Sequence, residues 1–332
     1  MPRTKGLNRR ELLKLSAAGA AALLAPRRGS ALASAPSPAA REPVSPADFR
    51  QRLRGPILSI PTPFTADFKV DYDGVRRMIE RAAKAGVSVF ALTMGNGQYA
   101  ALLYEEIKEL TRVVVEAAAG RGLTISAAGN WWTGQVVDYA RFAESVGADS
   151  VQIMVPEGCG EDGCVEHFKA VAAATRLPLV LHGDYSVALL EKLVRIDSVA
   201  ALKEDVTLDY YIDRQRRFGD RLAIFGGGTE YRFLVAWPYG SRAYYSAYAA
   251  FAPEVSMKLW RAVQNGDSAA AYRMVNTYDH PFLARWSHGF WRASLEHFGV
   301  AGRFLRPPQP FFTDAQMKDV AAFYDGLDLR PR

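Results

Sequence analysis

The chain is short of the residues from which most cofactor and metal sites are built. It has two cysteines and five histidines in 332 residues. Cys159 and Cys164 lie five apart in one segment. A zinc site there would need further ligands, and the spacing to His182 and Asp184 fits no standard pattern. No metal is expected. No Gly-rich dinucleotide fingerprint follows the first apolar run. No other cofactor motif is found, and no cofactor is expected. After residue 33 no apolar segment is long enough to cross a bilayer as a helix. In an oxidising compartment the two thiols could close a local ring, and two separate thiols are equally open.

A surplus of charge is also missing once the N-terminus is set aside. The whole chain has 41 Lys+Arg against 35 Asp+Glu. Residues 1–33 hold Arg3, Lys5, Arg9, Arg10, Lys14, Arg27 and Arg28 against Glu11 alone, so 34 of each sign remain without them. The basic surplus belongs to those residues. It gives no support to binding of nucleic acid or of a membrane surface.

Those 33 residues read as an address. Asn8-Arg9-Arg10-Glu11-Leu12-Leu13-Lys14 is a twin-arginine pattern, an apolar stretch runs over 15–24, and Ala31-Leu32-Ala33 is a small-x-small cleavage site. The expectation is export to the periplasm or beyond, with a Ser/Pro/Ala-rich linker over 34–50. A retained amphipathic anchor is the rival reading. About 290 residues remain, which suits one large domain or two. Nearly half the residues are hydrophobic, enough for a sizeable core.

From Gly55 onward the pattern alternates. Apolar, β-branched runs recur at 57–60, 87–92, 123–127, 150–155, 177–181, 199–202, 222–225 and 242–246. Helical spacing fills the intervals. Val75, Met78, Ile79, Ala82 and Ala83 form one apolar stripe, with Asp71 as cap and Gly86 as stop. A second helix is expected over 104–119, and a third from the cap Thr133 to Gly147. Eight strand–helix units imply parallel pairing and an α/β fold, a closed (β/α)8 TIM barrel, over 51–251. An open doubly wound sheet is the alternative. Residues 252–332 read as a C-terminal helical extension, with helices near Val255-Leu259-Val263, Tyr272-Val275 and 290–298. The proline-rich stretch 303–310 reads as extended.

Barrel chemistry gathers at the C-terminal ends of strands. There the chain has Thr62, Gly95-Asn96-Gly97-Gln98, Asn130-Trp131-Trp132, Glu157, His182-Gly183-Asp184-Tyr185, Lys203-Glu204-Asp205, Gly226-Gly227-Gly228 and Tyr245. Lys203 ends the sixth apolar run. Burial there lowers a lysine's pKa, and a neutral amine forms a Schiff base with a carbonyl. A plain strand-end lysine paired with Glu204 is the structural alternative.

The ordered fragments resemble the dihydrodipicolinate synthase / N-acetylneuraminate lyase family. Gly55-Pro56-Ile57 through Thr62-Pro63-Phe64 is similar to its opening strand and turn. Asp71 stands at its helix-opening acid. Gly97-Gln98 is similar to the end of its Gly-Thr-Thr-Gly-Glu element, and Leu102 and Glu106 to the Leu and Glu beyond that element. Gly147-Ala148-Asp149 through Pro156, His167-Phe168, Leu177-Pro178, Lys203-Glu204 and Phe225-Gly226-Gly227 complete the likeness. The resemblance implies a class I aldolase or lyase. Its lysine condenses with pyruvate or a related 2-oxo acid, or with a sugar acid, and backbone N–H groups at Gly95-Asn96 hold the carboxylate. A dimer or tetramer of identical chains is also implied.

The chain departs from that pattern. Gly95-Asn96 replaces a threonine pair, Glu157 replaces a tyrosine, and His182-Gly183 replaces Tyr-Asn. No arginine lies between Pro156 and His167, which argues against the lysine-pathway reaction. The expected catalytic residues are Lys203 as nucleophile, with Glu157 and His182 handling protons. Gly95, Asn96, Gly97, Gln98, Asp184, Gly226 and Gly227 are the expected substrate contacts, Asp184 otherwise capping the next helix. Trp131-Trp132 suit either a sugar or a subunit contact. The rival functions are a hydrolase or epimerase of carbohydrates without an imine, and a non-catalytic binding protein.

Overall fold

The computed structural model describes residues 42–331. The leader, and the linker up to residue 41, lie outside the described residues.

All eight expected strands form. β1 (Gly55–Ser59), β2 (Val89–Ala91), β3 (Leu123–Ala127), β4 (Val151–Met154), β5 (Leu179–His182), β6 (Val199–Glu204), β7 (Ala223–Gly226) and β8 (Ala243–Ser246) close into one barrel. Every pair is parallel, and β8 returns to β1. The alternating pattern of the sequence is thus a (β/α)8 barrel, not the open sheet. Side chains alternate across each strand. Ile57, Val89, Ala91, Leu123, Ile125, Val180, Ala201, Phe225 and Ala243 form the inner cluster. Leu58, Phe90, Val151, Ile153, Leu179, Leu181, Leu202 and Ile224 face the helices.

The signals of the first long helix act as read. In α2 (Tyr72–Ala85) the Asp71 carboxylate accepts from Gly74 N at 2.8 Å. Gly86 ends it at φ 105°, where a side chain would be strained. Around the barrel come α3 (Tyr104–Ala118), α4 (Thr133–Ser145), α5 (Glu161–Ala174), α6 (Val187–Leu193), α7 (Leu208–Phe218), α8 (Glu230–Ala236) and α9 (Pro253–Gln264). Thr133 is the first residue of α4, not its cap. The cap position is Trp132, and the Thr133 hydroxyl bonds His167 Nδ1 at 3.0 Å.

Two boundaries differ from the expected ones. The end of the expected linker lies in a helix, α1 (Pro46–Arg52), capped by Ser45. Its Phe49, with Val44 and Leu53, joins the inner cluster and closes the N-terminal end of the barrel. At the other end, α9 packs on β1 and α2 and completes the ring. The extension proper therefore starts at α10 (Ser268–Met274), which continues through a π-helical turn into α11 (His280–Ala284) and is followed by α12 (His288–His297). A last helix, α13 (Asp314–Gly326), was not legible. Only Val320 and Tyr324 are buried on it, too few for an apolar stripe. Arg77 and Arg81 of α2 donate to Val300 O and Phe298 O, and Arg306 pairs with Glu106, so the extension is tied to the β1–β3 side.

Cys159 and Cys164 form a disulfide, with Cα atoms 6.0 Å apart. It closes a five-residue step in the loop after β4 and at the start of α5.

Phe49 is fully buried in the plug. Phe49→Ala should destabilise the fold by about 3–5 kcal/mol in urea unfolding, as for other buried phenylalanines. A loss under about 1 kcal/mol would show that α1 is not part of the core.

Candidate active site

The inward face of each strand continues past the apolar layers into a polar one. Two residues beyond Val180 comes His182, and two beyond Ala201 comes Lys203. Tyr245 likewise follows Ala243, and Ser59 follows Ile57. Gln152 stands between the outward Val151 and Ile153, so it also faces in. Register brings His182 beside Lys203 and Lys203 beside Phe225. One layer at the C-terminal end thus holds an amine, an imidazole, an amide and a phenol.

The Lys203 side chain is 8% exposed. Its Nζ forms an ion pair with Asp205 and lies 2.8 Å from His182 Nε2. The Tyr245 ring centre is 5.4 Å away, a cation–π distance. His182 Nε2 also stands 3.2 Å from Asp205 Oδ2. Its Nδ1 faces Gln152 Nε2 at 3.3 Å. One imidazole nitrogen therefore touches both the amine and the acid.

Burial pulls the Lys203 ammonium below its ordinary range, and Asp205 opposes that pull. Burial likewise lowers His182, against the Asp205 carboxylate, so the imidazole is neutral at pH 7. Burial alone would raise Asp205, but His182 and Lys203 outweigh it and hold the carboxyl well below the usual range. Asp205 is 36% exposed at its side chain, so the ion pair sits at the open end and not in the closed interior.

Glu204 is not the partner of the lysine. It points to the other face, is fully buried, and pairs with Arg232 of α8. Its carboxylate also accepts from Val206 N at 2.6 Å, and its carbonyl from Gly227 N at 2.7 Å. That outer pair fixes the turn that carries Asp205. Gly227 leaves room for the site, since a Cβ there would lie 3.1 Å from Asp205 Cβ and 3.5 Å from Lys203 Nζ. Gly226 packs as closely on Tyr211.

The loop after β2 lies across the barrel mouth. Asn96 Nδ2 donates to Ser59 Oγ at 2.9 Å, on the inner face of β1. Asn96 N makes a 3.2 Å bond to Thr93 Oγ1. Gly95 N donates to no protein atom among the described residues. Gly97 O accepts from the Thr62 hydroxyl at 2.7 Å, and Gln98 takes a left-handed conformation at φ 53°. A cavity of about 430 Å³ opens beside this loop, lined by Gly95, Gln98, Asn130, Trp131, His288 and Gln309 among others.

Other expected site residues stand apart from the amine. Glu157 is exposed and accepts from Asn130 Nδ2 at 2.9 Å. Asp184 is exposed and does not orient His182; Asp205 does. Nor does Asp184 cap α6, whose cap is Ser186. Trp131 packs edge-on against Tyr104 and Tyr139, while Trp132 is 75% exposed. The sequence reading gave no role to Gln152, Tyr245 or Asp205. Period-two spacing from the apolar layers marks the first two. Asp205 lies past the strand end, where that spacing no longer applies.

The model of the dihydrodipicolinate synthetase family matches residues 52–313. A Streptomyces coelicolor protein named a probable 5-dehydro-4-deoxyglucarate dehydratase is 33% identical, over 71% of this chain and 78% of that protein. A 4-hydroxy-tetrahydrodipicolinate synthase of Halorhodospira halophila is 27% identical, over 79% and 93% respectively. Among solved structures, N-acetylneuraminate lyase from Mycoplasma synoviae superposes with a TM-score of 0.74 at 20% identity, over 82% of this chain and 98% of that one. The chain is an enzyme of lyase type. With a barrel of eight parallel strands, a lysine inside the end of the sixth and a matched span that takes in both, it belongs to the dihydrodipicolinate synthetase family.

Proposed function

We propose that this chain is a class I lyase that joins Lys203 Nζ to the keto carbon of a 2-oxo acid or sugar acid. The observation that carries the reading is the placement of Nζ. It is buried, faces inward at the catalytic end of the barrel, and is paired with the Asp205 carboxylate as proton acceptor. The ammonium passes a proton to its ion-pair partner Asp205 and from there to solvent at the open end, while His182 Nε2–H, with Nδ1 accepting from Gln152, orients that carboxylate. The free amine then adds to the carbonyl carbon. The former carbonyl oxygen takes up protons returned through Asp205 and leaves as water, so amine plus ketone gives imine plus water. The imine draws electrons from the adjacent carbon, and a C–O or C–C bond breaks. The name of the Streptomyces coelicolor relative supports C–O cleavage, that is, loss of water from a sugar acid.

In this reading His182 and Asp205 do the proton work of the threonine pair and tyrosine that the chain lacks, and the Gly95 N–H holds the carboxylate, joined by the Asn96 N–H as it leaves Thr93 Oγ1. Glu157, at the rim with Asn130, is left the distal end of the substrate. The twin-arginine leader supports export to the periplasm. The family likeness supports a homo-oligomer.

Borohydride added with pyruvate should leave a reduced adduct on Lys203, found by peptide mass, and Lys203→Ala should abolish it. Turnover without any adduct on Lys203 would end the imine reading.

The trapping rate should rise with pH as the amine loses its proton, with its midpoint below the ordinary lysine value of 10.5. Asp205 favours the ammonium, so Asp205→Asn should move that midpoint to lower pH. The same change should cut the maximal rate by roughly 100-fold through the lost proton relay. A midpoint that stays in place would show that Asp205 does not act on the amine.

A further inference from the structure

Arg292, on α12, is wholly buried. Other cations that are largely buried meet carboxylates: Lys203 meets Asp205, Arg232 meets Glu204, and Arg303 meets Glu296. Arg292 meets none among the described residues. Its Nη2 donates to three neutral acceptors: Thr62 O at 3.1 Å, Asn96 O at 3.2 Å and Gln98 Oε1 at 2.8 Å. Its Nε also reaches Thr62 O, at 3.3 Å. Its Nη1 has no acceptor. His288, half-buried, is pulled below its usual range by burial and then by the Arg292 charge. Burial draws Arg292 down to about 9, which leaves it charged at neutral pH.

All the acceptors belong to the turn after β1 and the loop after β2. The charge therefore lies against the carbonyl of Asn96, in the loop that carries Gly95. A charge buried without a partner is costly, and it strengthens the hold on any anion brought near in a medium of low dielectric. The resembling family pattern ends in glutamate at the position of Gln98. A carboxylate there would neutralise Arg292 inside the protein, and the amide does not.

We propose that Arg292 is a positioning residue whose fixed charge holds a 2-oxo or 2-hydroxy carboxylate at the Gly95–Asn96 loop, and that Gln98 leaves this charge for the ligand. The inference rests on the reading that this loop holds the substrate carboxylate. It assigns the electrostatic part of that binding to a residue outside the barrel strands. The cavity beside Gly95 and Gln98 lies on the same loop. A purely structural arginine, stapling α12 to the barrel, is the competing account. The two differ in sign for Gln98→Glu. An added ion pair would strengthen a staple, but would take the charge away from a bound anion.

The test uses the full chain with two probes that form no imine, lactate and its neutral amide, lactamide, each titrated by calorimetry. The parent should prefer lactate. Gln98→Glu should lose about ten-fold in lactate affinity, leave lactamide unchanged, and keep or raise the thermal midpoint. Arg292→Lys should keep more of the lactate preference than Arg292→Met. A Gln98→Glu chain that binds lactate as tightly as the parent would overturn the proposal, as would a parent with no preference for lactate over lactamide. Pyruvate that leaves Lys203 unmodified by borohydride, while lactate affinity still depends on Gln98, would sink the imine reading and leave this one standing.

Discussion

An ammonium at the inner end of a buried strand must be compensated, and the manner of compensation sets the character of this site. If Glu204 held Lys203, the amine would be locked away from the barrel mouth. Strand alternation forbids that pairing, because neighbours along β6 point to opposite faces. The acid that reaches Nζ is Asp205, one residue past the strand, at the solvent edge. The same carboxylate meets His182. The amine is thus held by a partner that also touches the imidazole, and the inner and outer faces of β6 carry separate ion pairs.

The outer pair, Glu204 with Arg232, is no less necessary to the arrangement. The paired carboxylate holds the turn at Val206 and the Glu204 carbonyl holds Gly227, so this residue sets where Asp205 stands. On the far side of the mouth, Thr62, Asn96 and Gln98 converge on Arg292. The C-terminal extension is therefore tied to the mouth of the barrel. It delivers a charge to a loop that the barrel alone would leave neutral.

Much of this was legible in the residues. Period-two apolar runs and the Asp71 and Gly86 caps specify the strands and the first long helix. The end of the sixth run specifies Lys203. Partners beyond strand ends were harder to read, since periodicity says nothing once the backbone leaves the sheet. Asp184 and Asp205 each follow a strand-end residue of interest by two. Only the turn geometry decides that Asp205 folds back over the mouth while Asp184 faces water. Glu157 invited the tyrosine's role by position, yet the loop after β4 carries it out to Asn130. Arg292 could not be foreseen, because α12 meets the β1 and β2 loops only through tertiary packing. The plug helix α1 hid in a segment rich in proline, where Ser45 and Pro46 are a helix start.

The central claim concerns one bond, and a crystal soaked with pyruvate looks at it directly. The account predicts continuous density from Lys203 Nζ to the keto carbon, with the carboxylate against Gly95 and Asn96 and Asp205 left on His182. Pyruvate bound elsewhere, or lying unbonded in the mouth while Nζ stays on Asp205, would contradict it.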